Sequence, residues 1–162
     1  MNRTSLSRVG ASTFAVLAVV LTLLTAARTS YARVDGDIRA GVYPNADAVS
    51  VGGGVLTTLG SSSAWHFNPN VEVAMGDRED IVAMSGDVHY DFATGRPTAF
   101  WMGAGPAVLM TDHAGTGGFE TDLGVNVLAG VGAKRGSVRP FGQLRGTMSD
   151  QSQVTLAGGI RF

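Results

Sequence analysis

The side chains in this sequence best suited to chemistry are three histidines, His66, His89 and His113, and a scattered set of carboxylates and arginines. His66 and His89 share the polar positions of their segments with Glu72 and Asp87, and these residue types bind metal ions or act as general bases. No two histidines have the tight spacing of a metal-binding pair, and a histidine hydrogen-bonded inside a β-structure gives the same pattern. We therefore predict no catalytic, cofactor-binding or metal-binding residues and no cofactor.

The sequence also lacks the motifs of several common functions. It has no cysteine, which excludes disulfides, thiolate metal sites and a cysteine nucleophile. Gly52-Gly53-Gly54 is not followed by the Lys-Ser/Thr pair of a phosphate-binding loop. Asp91 stands two residues after His89, where some small lipid hydrolases carry a serine. A formal net charge of −1 argues against a nucleic-acid-binding protein.

Eight segments in which apolar and polar residues alternate make up the chain after residue 32, separated by turn-forming residues. They cover 36–43, 48–59, 64–75, 80–92, 98–110, 119–132, 137–148 and 153–162. A period of two predicts β-strands, and a strand needs roughly 9–11 residues to cross a bilayer. The even spacing predicts an all-β protein, an eight-stranded antiparallel up-and-down barrel in which each strand pairs with the next.

The polar faces of these segments carry charges of both signs. Apolar and polar residues alternate along the strands of both soluble and membrane barrels, so alternation alone does not decide which face meets the solvent. Charges buried inside a barrel would have to pair, because an isolated buried charge is very costly. We predict that they form an ion-pair network in the lumen of a membrane barrel. The candidate members are Arg39, Glu72, Asp87, Glu120, Asp122, Arg145 and Arg161. The alternative is a soluble exported barrel, with these charges on its solvated outside and a small apolar ligand in its interior.

Aromatic residues and prolines within the segments add two expectations. Aromatic side chains fall mostly near segment ends, where girdles at both membrane interfaces would place them: Trp65, Phe67, Tyr90, Phe92, Phe100, Trp101, Phe119 and Phe162. Pro69, Pro106 and Pro140 lie within segments. Because proline cannot donate to a strand ladder, we expect bulges or strand ends at these three positions.

The first 32 residues have the pattern of a secretory signal peptide. Arg3 and Arg8 precede an apolar stretch over 14–24, which is shorter than the roughly 20 residues that a transmembrane helix needs. Small residues at Ser30 and Ala32 fit a signal-peptidase site, and a site after 25–27 is a second option. We predict a signal peptide at 1–32 and a mature domain at 33–162, the alternative being an uncleaved N-terminal anchor.

The last segment and several short motifs resemble a known family. The chain ends in Phe162, with Ile160, Leu156 and Val154 at alternate positions before it, and this looks like the signal read by the outer-membrane insertion machinery. Further motifs are Asn70-Val71-Glu72, Asp87-Val88-His89-Tyr90-Asp91-Phe92, Gly103-Ala104-Gly105-Pro106 and Pro140-Phe141-Gly142-Gln143. Together with the signal peptide, they resemble the small outer-membrane β-barrel domain family, the OmpA/OmpX-like eight-stranded barrels.

This resemblance implies a transmembrane barrel in the outer membrane of a Gram-negative bacterium, with both termini in the periplasm. Its partners would be outer-membrane lipid and the barrel-insertion machinery, which would read the assembly signal Leu156, Ile160 and Phe162. Eight strands leave an interior just wide enough for side chains. We therefore expect a monomer with a structural or interaction role, a packed polar lumen and no large pore. An outer-membrane lipid-modifying enzyme is the remaining alternative.

Overall fold

The computed structural model describes residues 34–60, 64–77, 79–92, 97–113 and 119–162. Within these ranges it has eight β-strands: β1 (Val34–Tyr43), β2 (Ala48–Thr58), β3 (Trp65–Gly76), β4 (Glu79–Phe92), β5 (Thr98–His113), β6 (Phe119–Ala133), β7 (Arg139–Met148) and β8 (Gln153–Arg161). The eight strands predicted from alternation are confirmed, with ends that differ by three residues or fewer. The predicted signal peptide at 1–32 lies outside the described residues.

The eight strands form a closed antiparallel barrel in which each strand pairs with its neighbour along the chain and β8 pairs with β1. The β1–β8 ladder extends from the Asp37–Arg161 pair to the Val42–Leu156 pair. Phe162 lengthens this seam, because its N–H donates to the Gly36 oxygen at 2.9 Å and its oxygen accepts from the Gly36 N–H at 3.0 Å. The predicted closure of the last strand against the first is therefore confirmed.

The described ranges contain no α-helix of the length and apolar character needed to span a membrane.

Alternate side chains point into and out of the barrel, and most of the large apolar ones lie outside. Val51 is 58% exposed, Leu144 52% and Leu156 56%. Arg39 and Glu72, by contrast, are buried inside. This polarity is the reverse of that of a soluble barrel and is the arrangement of a barrel wall that faces lipid. A soluble barrel with a ligand-binding apolar interior needs the opposite orientation of the two faces.

The interior is layered along the barrel axis. We call the end that carries Val34 and Phe162 the terminal end and the opposite end the distal end. A buried apolar cluster at the distal end consists of Tyr43, Ala46, Ala48, Ala74, Ile81, Ala83 and Leu109. A second one at the terminal end consists of Ala99, Trp101, Leu128 and Phe141. Arg39, Glu72, Asp87 and Arg145, which are buried and charged, lie between these two clusters.

Trp101 was expected in an outer aromatic girdle, and that prediction is wrong. Its side chain is completely buried inside the terminal end of the barrel. Its neighbour Phe100 points outward and is 49% exposed, because successive residues of a strand face opposite sides. Room for the indole comes from Gly130 on β6, where any Cβ would collide with the Trp101 ring.

The outward aromatic side chains that the structure describes gather at the terminal end. Trp65 and Tyr90 lie with ring centroids 5.1 Å apart, and Tyr90 and Phe92 lie 5.2 Å apart. This is the first of the two expected girdles. The second depends on Phe119, whose side chain lies outside the described part of the structure, and it stays a prediction.

The three prolines disturb the ladders less than expected. At Pro69 the β2–β3 pairing lapses opposite residues 55–56, and at Pro106 the β4–β5 pairing lapses opposite residues 86–87. Both strands advance by the same number of residues across each gap, so the register is kept and the expected bulges are absent there. Pro140 is the second residue of β7, which agrees with the expectation of a strand end.

Deleting Phe162 should impair closure of the barrel. The deletion removes both hydrogen bonds to Gly36, each contributing roughly 0.5–1.5 kcal/mol, together with the outward ring. We expect a smaller folded fraction after refolding into lipid vesicles, measured as the band that migrates faster in unheated than in boiled gel samples. Phe162→Leu keeps the backbone pairing and is the matched control. Equal folded fractions for the deletion and for this control would contradict the role assigned to the seam.

Candidate functional site

The centre of the barrel is organised around Glu72 on β3. Its Oε1 lies 3.6 Å from Arg39 Nη1 on β1 and 3.5 Å from Arg145 Nη1 on β7. The Tyr43 hydroxyl donates to Glu72 Oε2 at 3.0 Å. Glu72 finds space for its side chain because Gly52, its partner on β2, has no Cβ to collide with it. One carboxylate thus links three strands across the lumen.

Arg39 is also held by an aspartate on its own strand. Its Nη2 lies 2.6 Å from Asp37 Oδ1, and its Nε donates to the same oxygen at 2.8 Å. Asp37 Oδ2 accepts from Asn68 Nδ2 at 3.1 Å, and Arg39 Nη2 donates to Asn68 Oδ1 at 2.9 Å. Both carboxylate oxygens of Asp37 are therefore occupied within this group of three residues.

Arg145 connects the centre to a second carboxylate, Asp87 on β4. Arg145 Nη2 lies 3.3 Å from Asp87 Oδ2 and donates to Asn70 Oδ1 at 3.1 Å. Asp87 also accepts from Asn70 Nδ2 at 3.0 Å and from Asn126 Nδ2 at 2.9 Å. Thr147 donates to Asn126 Oδ1 at 2.7 Å and extends these contacts toward the distal end. Side chains from β3, β4, β6 and β7 thus meet in one set of hydrogen bonds.

We call this set the lumen network; it consists of Asp37, Arg39, Tyr43, Asn68, Asn70, Glu72, Asp87, Asn126, Arg145 and Thr147. Of the seven residues predicted to pair inside the barrel, the structure brings together Arg39, Glu72, Asp87 and Arg145. The asparagines were not predicted as members. The only signal for them in the sequence was their place at inward positions of the alternating segments.

Two predicted members, Glu120 and Asp122, lie outside the lumen network, and their assignment to it is corrected. Glu120 is exposed and Asp122 is partly exposed at the distal end. Pairing of β6 with β7 begins only at Val125, so the first residues of β6 extend beyond the rim of β7. Solvent reaches inward-facing positions there, and Glu120 Oε2 accepts from exposed Gln151 at 3.4 Å.

Arg161, the remaining predicted member, lies at the terminal end, next to the inner apolar cluster. Its Cζ is 4.3 Å from the centre of the Trp101 ring and 4.8 Å from that of Phe141. Such distances are those of cation–π contacts. Within the described residues, no carboxylate lies at ion-pair distance from it, so Arg161 stacks on aromatic rings instead of joining the lumen network.

The histidines contact other carboxylates than the ones proposed from the sequence. His66 Nε2 lies 3.6 Å from Asp91 Oδ2, and His89 Nε2 lies 3.5 Å from Asp91 Oδ1, so both face Asp91 and not Glu72 or Asp87. His113 is at the distal end, 3.4 Å from Glu79. No group of three or more histidine or acidic side chains in the described parts of the chain is arranged to hold a metal ion.

Glu72→Gln should destabilise the barrel, because it removes the carboxylate that Arg39 and Arg145 share, while Arg39 keeps Asp37 and Arg145 keeps Asp87 as partners. Losing hydrogen bonds and ion pairs to charged groups typically costs about 1.5–3 kcal/mol of unfolding free energy. Asp122→Asn is the matched control, since it removes a carboxylate from an inward position that solvent reaches, and should change stability by about 0.5 kcal/mol or less. Denaturant titration in detergent micelles measures both. Equal losses in the two variants would refute the lumen network as a source of stability.

Neither a protein-family model nor a curated protein matches this sequence. Among solved structures, the crystal structure of Neisserial surface protein A (NspA) is similar, with a TM-score of 0.60 and 17% identity over 79% of this chain and 92% of that chain. A de novo designed transmembrane β-barrel has a TM-score of 0.50 and 12% identity over 80% of this chain and 92% of that one. Ail, the attachment invasion locus protein of Yersinia pestis, covers 80% of this chain and 95% of its own at a TM-score of 0.46 and 11% identity.

The similarity to the first two structures concerns the fold, and it agrees with the arrangement of the strands in this chain. Eight antiparallel strands close on themselves, with apolar side chains outside and charged side chains inside. The predicted all-β, eight-stranded antiparallel transmembrane barrel is therefore confirmed. The chain has the fold of the small eight-stranded outer-membrane β-barrels.

Proposed function

We propose that this chain is a small integral protein of the bacterial outer membrane with a structural or interaction role, without catalytic activity and without a large pore. The observation that carries the proposal is the belt of apolar side chains on the outside of a closed barrel, represented by Val51, Leu144 and Leu156. Burying such surface away from water stabilises a protein by roughly 25 cal/mol per Å². Lipid supplies that burial for a barrel whose interior is already filled.

The outer membrane is the location that best fits these strands. They contain 9 to 16 residues, and a tilted strand needs roughly 9–11 to cross the hydrocarbon layer. A closed barrel also pairs each strand with two neighbours, so that its backbone hydrogen bonds form within the chain, as lipid demands. The predicted signal peptide provides export, and Leu156 and Ile160 on β8, with Phe162 directly after it, provide an outward apolar row for the insertion machinery. Both termini would then lie in the periplasm.

We infer that the barrel has no large pore because side chains fill its interior. The distal apolar cluster, the lumen network and the terminal apolar cluster succeed one another along the axis. Trp101 lies across the terminal end with its side chain completely buried, and Arg161 stacks on its ring. An eight-stranded barrel has room inside only for side chains. The interior therefore acts as a solid support for the wall.

The connections at the distal end are short. They favour a function carried by the outer wall and rim of the barrel over one carried by long binding loops. Four residues join β1 to β2, and four join β7 to β8. The β1–β2 turn is closed by a hydrogen bond from the Ala46 N–H to the Tyr43 oxygen at 3.1 Å. We infer that the protein acts as a monomer embedded in lipid, with little surface projecting beyond the membrane.

Cell fractionation combined with a heat-shift gel tests this proposal. We expect the mature protein in the outer-membrane fraction, solubilised only by detergent, and a faster-migrating band in unheated samples because a closed barrel resists unfolding by the gel detergent. In planar bilayers the same purified protein should give no stepwise ion currents of porin size.

Recovery in the soluble periplasmic fraction without detergent would remove the membrane location. Discrete currents of porin size from the purified barrel would overturn the filled lumen while leaving the location intact. A variant with Leu144→Asp and Leu156→Asp is the matched control for location, since two carboxylates on the lipid face should lower its outer-membrane level.

A further inference from the structure

The terminal end of the barrel opens to solvent through a small set of inward polar side chains. His66, Asp91 and Arg139 have side-chain exposures of 12%, 18% and 11%, and Asp35 has 17%. Arg161 lies among them and is 8% exposed. We call these five residues the terminal mouth. Four members are partly exposed and Arg161 lies buried among them, so a small solute approaches Arg161 past these four side chains and not through the wall.

Arg161 has one ladder partner of opposite charge and one of the same charge, and it forms an ion pair with neither. Its partner on β1 is Asp37, whose carboxylate oxygens are taken by Arg39 and Asn68. Its partner on β7 is Arg139, a second cation. Arg139 Nη2 itself pairs with Asp35 Oδ2 at 2.7 Å. Arg161 is thus a guanidinium group beside another guanidinium group, without a carboxylate of its own among the described residues.

One hydrogen-bond donor of Arg161, its Nε, is also left without an acceptor among the described residues. A guanidinium group carries five N–H donors, and stacking on the rings of Trp101 and Phe141 uses the faces of the group, not these donors. Arg161 Nε and Arg139 Nε are both buried and have no acceptor in the described structure. A buried charged donor without an acceptor is costly, so an acceptor from outside the chain is expected here.

We propose that the terminal mouth binds a phosphate group between the guanidinium groups of Arg161 and Arg139. Guanidinium forks match the oxygen geometry of phosphate and form paired, charge-assisted hydrogen bonds with it. Two adjacent cations favour an anion that offers several oxygens and more than one charge. Lys134, in the connection just before β7, adds positive charge at the same end.

The two carboxylates of the terminal mouth limit where a phosphate group can bind. Asp35 is engaged by Arg139, and Asp91 faces His66 and His89. Asp91 therefore opposes anion binding from one side, while the side formed by β7 and β8 presents only cations. The phosphate could belong to a free anion or to a membrane lipid headgroup, which share this chemistry.

The test uses the purified full-length barrel in maltoside micelles, with Trp65→Phe so that Trp101 is the only tryptophan. Because Arg161 stacks on Trp101, binding at Arg161 should change the emission of this indole. Inorganic phosphate and a short-chain phosphatidic acid, below its micelle concentration, are titrated separately at constant ionic strength. We expect a saturable change whose Kd rises about tenfold or more in Arg161→Gln, as loss of charged hydrogen bonds implies.

Arg135→Gln is the matched control, because it removes the same charge from an exposed position in the β6–β7 connection. Its Kd should stay within about twofold of the parent's, since charge-assisted contacts act only at short range. Response to phosphatidic acid alone identifies a lipid headgroup as the ligand, and response to both probes identifies the phosphate group itself. Each of these results supports the site.

Three results would overturn the proposal. One is the absence of a saturable emission change with either probe. Another is equal weakening in Arg161→Gln and Arg135→Gln, which would mean diffuse attraction to the positive end. If Arg161→Gln lacks the heat-shifted band of a folded barrel, then Arg139→Gln replaces it, and unchanged affinity in that variant is the third overturning result.

Discussion

The structure depends on one constraint: the backbone N–H and C=O groups must form hydrogen bonds with each other inside lipid, where there is no water. Lipid offers no partner to N–H and C=O groups, so a sheet that spans it must close on itself. Here closure comes from the β1–β8 ladder, and Phe162 completes it by exchanging two hydrogen bonds with Gly36. The residue that ends the chain is therefore part of the wall. Its ring continues the outward apolar row of Leu156 and Ile160.

Closure at eight strands then determines what the interior can hold. The space is narrow, so large inward side chains need glycine beside them, as Glu72 has Gly52 and Trp101 has Gly130. Charges placed in that space must find partners, and the lumen network shares Glu72 on β3 between guanidinium groups from β1 and β7. The polar interior and the apolar wall are thus two results of one geometry.

Local patterns were enough to predict the strands and which side chains share a face. Alternation depends only on residues two apart, so it placed Arg39, Glu72, Asp87 and Arg145 on the polar faces. The prediction that these faces point inward needed a second argument, the cost of leaving buried charges unpaired. Non-local information was needed for the rest. The exposure of Glu120 depends on where β7 ends relative to β6, and the place of Asp91 beside the histidines depends on strand register and side-chain direction. Trp101 could be placed only by knowing that Gly130 faces it.

Contact of the apolar wall with lipid acyl chains is the central claim, and site-specific fluorescence quenching tests it most directly. The chain has no cysteine, so single cysteines at outward Val51, Leu144 and Leu156 can each carry an environment-sensitive dye in reconstituted vesicles. Lipids with a spin label in the acyl chain should quench the dye at all three positions. They should leave a dye at Asp150, in the exposed distal turn, largely unquenched. Water-like emission without quenching at the three wall positions would contradict the account.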